Sequence, residues 1–403
     1  MTSAQAGIRR GIRHGEQVKG PRMRSVGVEE ELLLVDPRTG RPAASAGAVL
    51  ASALRSGGRA AGAGGEIPLE KELHKEQVEC ATRPVTGMDE LHREIRRWRA
   101  EAARHAEAAG VLVAALATCP LPVEPSLSVG ERYQWIARQF GLPAQEQLTC
   151  GCHVHVAVDS DEEGVAVLDR IRPWLSVLTA LSANSPFWQG EDTAYGSYRS
   201  RVWNRWPTAG PVDLFGTPER YHERVRAMVA TGAIRDQGMI YFDARLAASY
   251  PTVEIRVADV CLDASTPVLL AALVRGLVDT AARDWRAGRP SPAVDTSLLR
   301  LASWRAARSG LDGPLIHPAT LREDSAAAVV HALYDHVREA LEDNGDAGFV
   351  KEGLAGLQAG GNGARVQREL LRTEGDLASM VLRCARRTLG DETGSGSGPA
   401  PSR

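Results

Sequence analysis

Apolar and polar residues alternate along three short stretches of the chain. In GVEEELLLV (27–35), an extended backbone puts Glu29 and Glu31 on one side and Val28, Glu30, Leu32 and Leu34 on the other. In CGCHVHVAV (150–158), Gly151, His153, His155 and Ala157 share a side, opposite Cys150, Cys152, Val154, Val156 and Val158. In TVEIRVAD (252–259), Thr252, Glu254, Arg256 and Ala258 stand opposite Val253, Ile255 and Val257. Each stretch is predicted as a strand with one apolar face and one face bearing carboxylate, imidazole or guanidinium. Glu30 interrupts an apolar row and needs a local partner or a sheet edge. A fourth segment, QVECAT (77–82), reads better as a strand than as a helix, because Thr82-Arg83-Pro84 ends it abruptly. Its Glu79 then faces with Gln77 and Ala81. The helical alternative would line up Glu72, Glu76 and Glu79.

Longer stretches follow the helical period. Residues 88–110 form an amphipathic pattern closed by Gly110. Residues 162–184 continue the pattern with Pro173 as a kink or early turn, and 266–288 read as a buried helix. The stretch 111–118, VLVAALAT, reads as a buried strand, and everything beyond 288 as helix and loop. The irregular mixture predicts an α+β fold, with helices on one side of a largely antiparallel sheet. The basic segment 1–23 and the Gly/Ser/Pro-rich segment 390–403 are expected to be disordered tails around one domain at 24–389. The glycine-rich 55–66 reads as a mobile loop between two strands of one sheet.

Composition narrows the function. A formal net charge of −2 gives no field that would favour nucleic acid or an anionic membrane. Six scattered cysteines are too few for a disulfide scaffold and suit a reduced cytoplasmic protein. Arg275 and Asp279 interrupt the longest apolar helix, which argues against a membrane span.

Two cysteines and two histidines within 150–155 suggest zinc at first sight. Strand alternation removes that reading, since Cys150 and Cys152 point away from His153 and His155, and tetrahedral zinc needs convergent ligands. Any one of these strands could be an ordinary solvated edge. Together, with their faces aligned in one sheet, they would gather Glu29, Glu31, Glu79, Glu254 and His153. Such an oxygen-rich set with one imidazole suits magnesium or manganese better than zinc. Hard divalent ions beside arginines imply phosphate chemistry.

The motifs VGVEEELLLVD, HKEQVE, CGCHVHVAV, LSANSPFWQGEDTAYGSYR, WPTAGP and TVEIRVADV occur in an order that resembles the type 2 glutamate–cysteine ligase family. The likeness runs from about 24 to 285 and more weakly to about 389. It implies a glutamine-synthetase-like fold, a curved sheet with its site on the concave face and helices on the convex side. It also implies an ATP-dependent ligase that joins the side-chain carboxylate of glutamate to an amine such as cysteine. By this resemblance Glu29, Glu31, Glu79, Glu254 and His153 are metal ligands, with Glu72 a weaker counterpart. Arg256 and Arg199 contact phosphate or substrate, and His155 is adjacent. The Trp-, Tyr- and Arg-rich segment 184–207 is expected to cover the substrate, through Asn184, Gln189, Asp192, Tyr195 and Arg199. Ala194, Gly196 and Cys119 depart from the family pattern without touching a ligand. The expected small molecules are ATP, glutamate and an amine, with Mg2+ or Mn2+, and a homo-oligomer fits such an enzyme. Two other classes stay open, a metal-dependent hydrolase and a non-catalytic metabolite-binding protein. The chain has no His-Glu-x-x-His, Gly-x-Ser-x-Gly or P-loop motif.

Overall fold

The computed structural model describes residues 23–56 and 69–390. The two tails, apart from their innermost residues, and nearly all of the 55–66 stretch lie outside the described residues. The main sheet is built from β1 (Val26–Val35), β2 (Leu69–Lys71), β3 (Gln77–Ala81), β4 (Leu112–Ala114), β5 (Gly151–Ala157), β6 (Ala244–Leu246) and β7 (Thr252–Asp259). Its order is β2-β3-β1-β5-β7-β6, with β4 pairing the far end of β1, and every pairing is antiparallel.

The predicted alternation fixes the two faces. Val28, Val154, Val156, Val253 and Ile255 are buried on one side, in a core shared with the helices Asp161–Ile171, Leu175–Ser182 and Ser265–Arg286. Cys152 joins that core and Cys150 a neighbouring one, so both behave as small apolar groups. Pro173 divides the predicted 162–184 helix, placing a 3-10 turn at Arg172–Trp174 between two α-helices. Ser265–Arg286 is long and apolar enough to cross a membrane, yet it is built into the core, and its buried Arg275 pairs with Asp346. Only Leu112–Ala114 of the predicted 111–118 strand is extended in the sheet. A helix at Ala46–Arg55, not expected from the sequence, precedes the glycine-rich stretch.

Glu30 finds its partner across the core side of the sheet. Arg99, from the helix Met88–Ala108, meets it with two hydrogen bonds of 2.9 and 2.6 Å. The same guanidinium donates to the carbonyls of Cys261 and Leu262 at 2.6 and 2.9 Å. The pair is buried and almost fully satisfied. Removing one member strands the other charge away from water, which typically costs about 3–5 kcal/mol. Arg99→Met should therefore destabilise the fold by about that amount in urea unfolding, whereas a loss under about 1 kcal/mol would show that Glu30 has another partner.

One β-bulge changes the face assignment. Val154 pairs with Ile255, but Cys152 pairs with Ala258, so Arg256 and Val257 together oppose His153. Alternation thus reverses at the end of β7. Ala258 turns into the core, contrary to the sequence expectation, and Asp259, opposite Gly151, faces the other way.

Candidate active site

The polar face of the sheet is assembled by register. Glu29 lies opposite His153, Glu31 opposite Glu79, and His155 opposite Glu254, which in turn faces Arg245 of β6. Directly opposed residues of an antiparallel pair project to the same side. The carboxylates and imidazoles expected from four separate strands therefore share one surface.

Within it, Glu29, His153 and Glu254 each offer a ligand atom within 4.8 Å of the others. Glu29 is gripped by both histidines, its Oε2 lying 3.3 Å from His153 Nδ1 and its Oε1 3.2 Å from His155 Nε2. His155 Nδ1 is 3.1 Å from the Thr252 hydroxyl. His153 keeps Nε2 buried with no hydrogen-bond partner. Glu254 is bracketed by two arginines. Arg245 donates to it through Nε at 2.7 Å and Nη2 at 3.2 Å, and Arg256 donates through Nη1.

Burial raises the Glu29 carboxyl, but the two histidines outweigh it and hold the group well below the usual carboxylate range. Burial likewise opposes ionisation of Glu254, yet Arg256, Arg245 and the histidines bring it down to about 2. Burial and the Arg256 charge push His153 down to about 4. At neutral pH the trio thus presents two carboxylates and a neutral imidazole with a free nitrogen. That is the protonation state in which such groups bind a cation.

Glu31 and Glu79 form a second acidic group with Glu72, which lies just after β2. Glu31 is buried and accepts the Gly151 amide at 2.6 Å. Burial and the Glu72 charge push it up to about 7, against the pull of Arg199, the Gly151 amide and Arg256. Burial, a hydrogen bond with Glu72 and the charges of Glu72, Glu29 and Glu31 raise Glu79 well above its ordinary value. Glu76, the remaining acid of the helical alternative, turns away to accept the Ser126 amide.

The sign of the Glu31 shift gives a pH test. An unfolded glutamate ionises near 4.5 and the folded one near 7, so the native state holds the extra proton between those values. Stability contributed by this group falls as pH rises across 4.5–7. In chelator-treated protein, Glu31→Gln should be neutral near the low end and stabilising by up to about 3 kcal/mol above pH 8. A difference between variant and parent that stays constant with pH would contradict it.

Arg199 begins the short helix Arg199–Trp203 and is almost fully buried. Its Nε and Nη2 have no hydrogen-bond partner, although this edge of a guanidinium accommodates two oxygens of a phosphate or carboxylate. Both Arg199 and Arg256 lie by the Trp203 ring, at 5.3 and 5.6 Å from its centroid. Gly151 makes room for Arg199. A Cβ there would lie 2.3 Å from Nη2 and 3.1 Å from His153 Nε2.

The expected substrate-covering residues are mostly committed elsewhere. Asn184 is buried, and its amide donates to Ala115 and Val260 carbonyls and accepts from Gln367. Gln189 clamps both backbone groups of Val123, and Asp192 is paired with Arg368. The Tyr195 hydroxyl accepts from Trp304. The polar groups of these four make contacts within the protein. Of that segment, Arg199 alone has an open polar edge among the residues predicted. The sequence reading missed Arg245, since the strand carrying it is three residues long and has no period to detect. It also missed Asp259, which accepts from Ser185, Ser197 and the Asn184 amide and so ties the covering segment to the end of β7.

The model of glutamate-cysteine ligase family 2 matches residues 25–383. A Streptomyces avermitilis protein provisionally named glutamate–cysteine ligase 2-1 is 62% identical over 368 residues, 91% of this chain and 100% of that protein. A Streptomyces coelicolor protein provisionally named glutamate–cysteine ligase 2 is 61% identical over 366 residues, 91% and 99% of the two chains. The crystal structure of a Francisella tularensis glutamate–cysteine ligase in complex with AMP superposes with a TM-score of 0.66 at 13% identity, covering 91% of this chain and 88% of the other. At that identity the likeness concerns the fold. The family model and these relatives define an enzyme of the class that forms carbon–nitrogen bonds, a carboxylate–amine ligase. Within that class the chain belongs to glutamate–cysteine ligase family 2.

Proposed function

We propose that the protein activates the side-chain carboxylate of glutamate with ATP and joins it to an amine of the cysteine type, in the cytoplasm. The observation that carries this reading is the Glu29–His153–Glu254 trio beside the unpaired Nε–Nη2 edge of Arg199, in a chain of this family.

A carboxylate does not condense with an amine in water at neutral pH, because its oxygen is a poor leaving group. Attack of a glutamate carboxylate oxygen on the γ-phosphorus of ATP breaks the bond to ADP and gives an acyl phosphate. The amine then attacks the acyl carbon, loses a proton and displaces phosphate. No protein nucleophile is needed, so the protein's work is positioning and charge neutralisation.

The donor set fits a hard divalent cation such as Mg2+ or Mn2+. Two ionised carboxylates converge with an imidazole whose buried Nε2 lacks a partner, and Glu31 and Glu79, raised by burial and by neighbouring carboxylates, lie on the same face. Glu29, His153 and Glu254 would hold the ion, with Glu31 and Glu79 on the Glu72 side. When bound, the ion offsets phosphate charge. Arg199 would grip a phosphate or carboxylate through its open fork. Arg256, fixed by Glu254 and flanked by Trp203 and Tyr241, would neutralise transferring oxygens. His155 orients Glu29 from its second side.

The test is ADP release screened over amino acids and amines, with and without magnesium. Glutamate and an amine together should elicit magnesium-dependent ADP. Hydrolysis of an amide or phosphoester without ATP, or ligand binding without ADP release, would overturn the reading.

A further inference from the structure

Asp259 ends β7 opposite Gly151, and the bulge in that strand turns it onto the polar face. This cross-strand pair holds Arg199 from both ends. Gly151 leaves the room that its guanidinium fills. Asp259 reaches its backbone through Ser185. The Ser185 hydroxyl accepts the Arg199 amide at 2.9 Å and donates to Asp259 Oδ2 at 2.7 Å. An amide can only donate, so the single hydroxyl proton goes to the carboxylate, which thereby fixes Ser185 as an acceptor. Ser197 donates to Oδ1 and the Asn184 amide to Oδ2, each at 2.8 Å. Backbone bonds join the same segments, from the Ser185 amide to the Gly196 carbonyl and from the Tyr198 amide to the Ser185 carbonyl, each at 3.0 Å. Arg199 opens a helix of five residues, whose first amides have no partner within the helix. A helix that short takes its orientation from such outside contacts. Asp259, Ser185, Ser197 and Arg199 are all at most 1% exposed, so solvent does not make good a lost bond. Burial raises the Asp259 carboxyl, and the Arg199 charge is the largest influence opposing it. The carboxylate therefore acts on the guanidinium while Nε and Nη2 stay without a partner.

We propose that Asp259 is a positioning residue, which through Ser185 and Ser197 holds the first turn of the helix Arg199–Trp203 so that the Arg199 guanidinium lies over Gly151 with its Nε–Nη2 edge open to a phosphate or carboxylate. The proposal rests on the reading of Arg199 as a ligand-binding group.

Asp259→Ala strips three hydrogen bonds at once and reports mainly on folding. Ser185→Ala is the sharper variant, because Asp259 keeps its other two bonds and only the link to the Arg199 amide is cut. It should lower kcat/KM for ADP release roughly tenfold. Arg199→Met should lower it about a hundredfold. Ser185→Ala added to Arg199→Met should cost less than about twofold more, because the group it positions is already gone. A merely structural serine would lower kcat/KM by the same factor in both backgrounds, or lower Tm and leave kcat/KM unmoved, and either result overturns the proposal. If the parent protein releases no ADP with any amino acid and amine, or if Arg199→Met turns over at the parent rate, the functional reading fails instead. Crystal structures of the parent and of Ser185→Ala then decide the positioning. A guanidinium that leaves its place over Gly151 in the variant supports it, and one that stays there overturns it.

Discussion

Glu29→Gln is expected to reduce ADP release by at least about a hundredfold while the protein stays folded. The carboxylate sits at the centre of the polar face, touched by His153 and His155 and within ligand distance of Glu254. The amide keeps the shape and can still meet one imidazole, but it removes the charge that a cation or a cluster of phosphate oxygens depends on. Glu29 is only partly buried, so the fold loses little. Glu254→Gln should be equally inactive but less stable, because the buried Arg256 and the partly buried Arg245 both lose their ionised partner. Paired measurements of ADP release and thermal unfolding separate the two effects. Turnover near the parent level in Glu29→Gln would remove the trio from the chemistry.

Gly151→Ala is expected to cost about a hundredfold in kcat/KM with little change in Tm. The new methyl group would lie 2.3 Å from Nη2 and 3.0 Å from Cζ of Arg199, well inside contact distance. Arg199 is almost fully buried, so its guanidinium cannot swing into solvent and must shift by roughly 1 Å along the sheet face. Displacements of that size in a site built for positioning are expensive in rate. The backbone itself welcomes the change, since Gly151 is an extended strand residue and alanine loses less entropy there. The outcome contrary to this would be parent-like kinetics, which would mean that Arg199 does not act from its place over Gly151.

The legible part of the site was the part written in strand alternation. Glu29, Glu31, His153, His155 and Glu254 were assigned to polar faces because a β-strand has a period of two and its partners were apolar. The same rule excluded Cys150 and Cys152 from any site with the histidines. The covering segment was less legible. Asn184, Gln189 and Asp192 have side chains suited to a ligand, and their sequence context does not reveal that Gln367, Val123 and Arg368 already occupy them. Those partners are remote in the chain, Gln367 by 183 residues, Val123 by 66 and Arg368 by 176.

By itself the sequence determined which residues could face together, through alternation, and the order of strands and helices, through hydrophobic period and breakers. It also placed the chain by its motifs in one ligase family. Tertiary structure alone decided the register that sets Glu29 opposite His153 and Glu31 opposite Glu79. It decided the bulge that turns Ala258 inward and Asp259 outward, and the pairing of Arg99 with Glu30 and of Arg245 with Glu254. The physical reason is common to these cases. Alternation is a local property of one extended chain, whereas register, bulges and buried charge pairs are settled by which distant segment satisfies a group once water has been excluded.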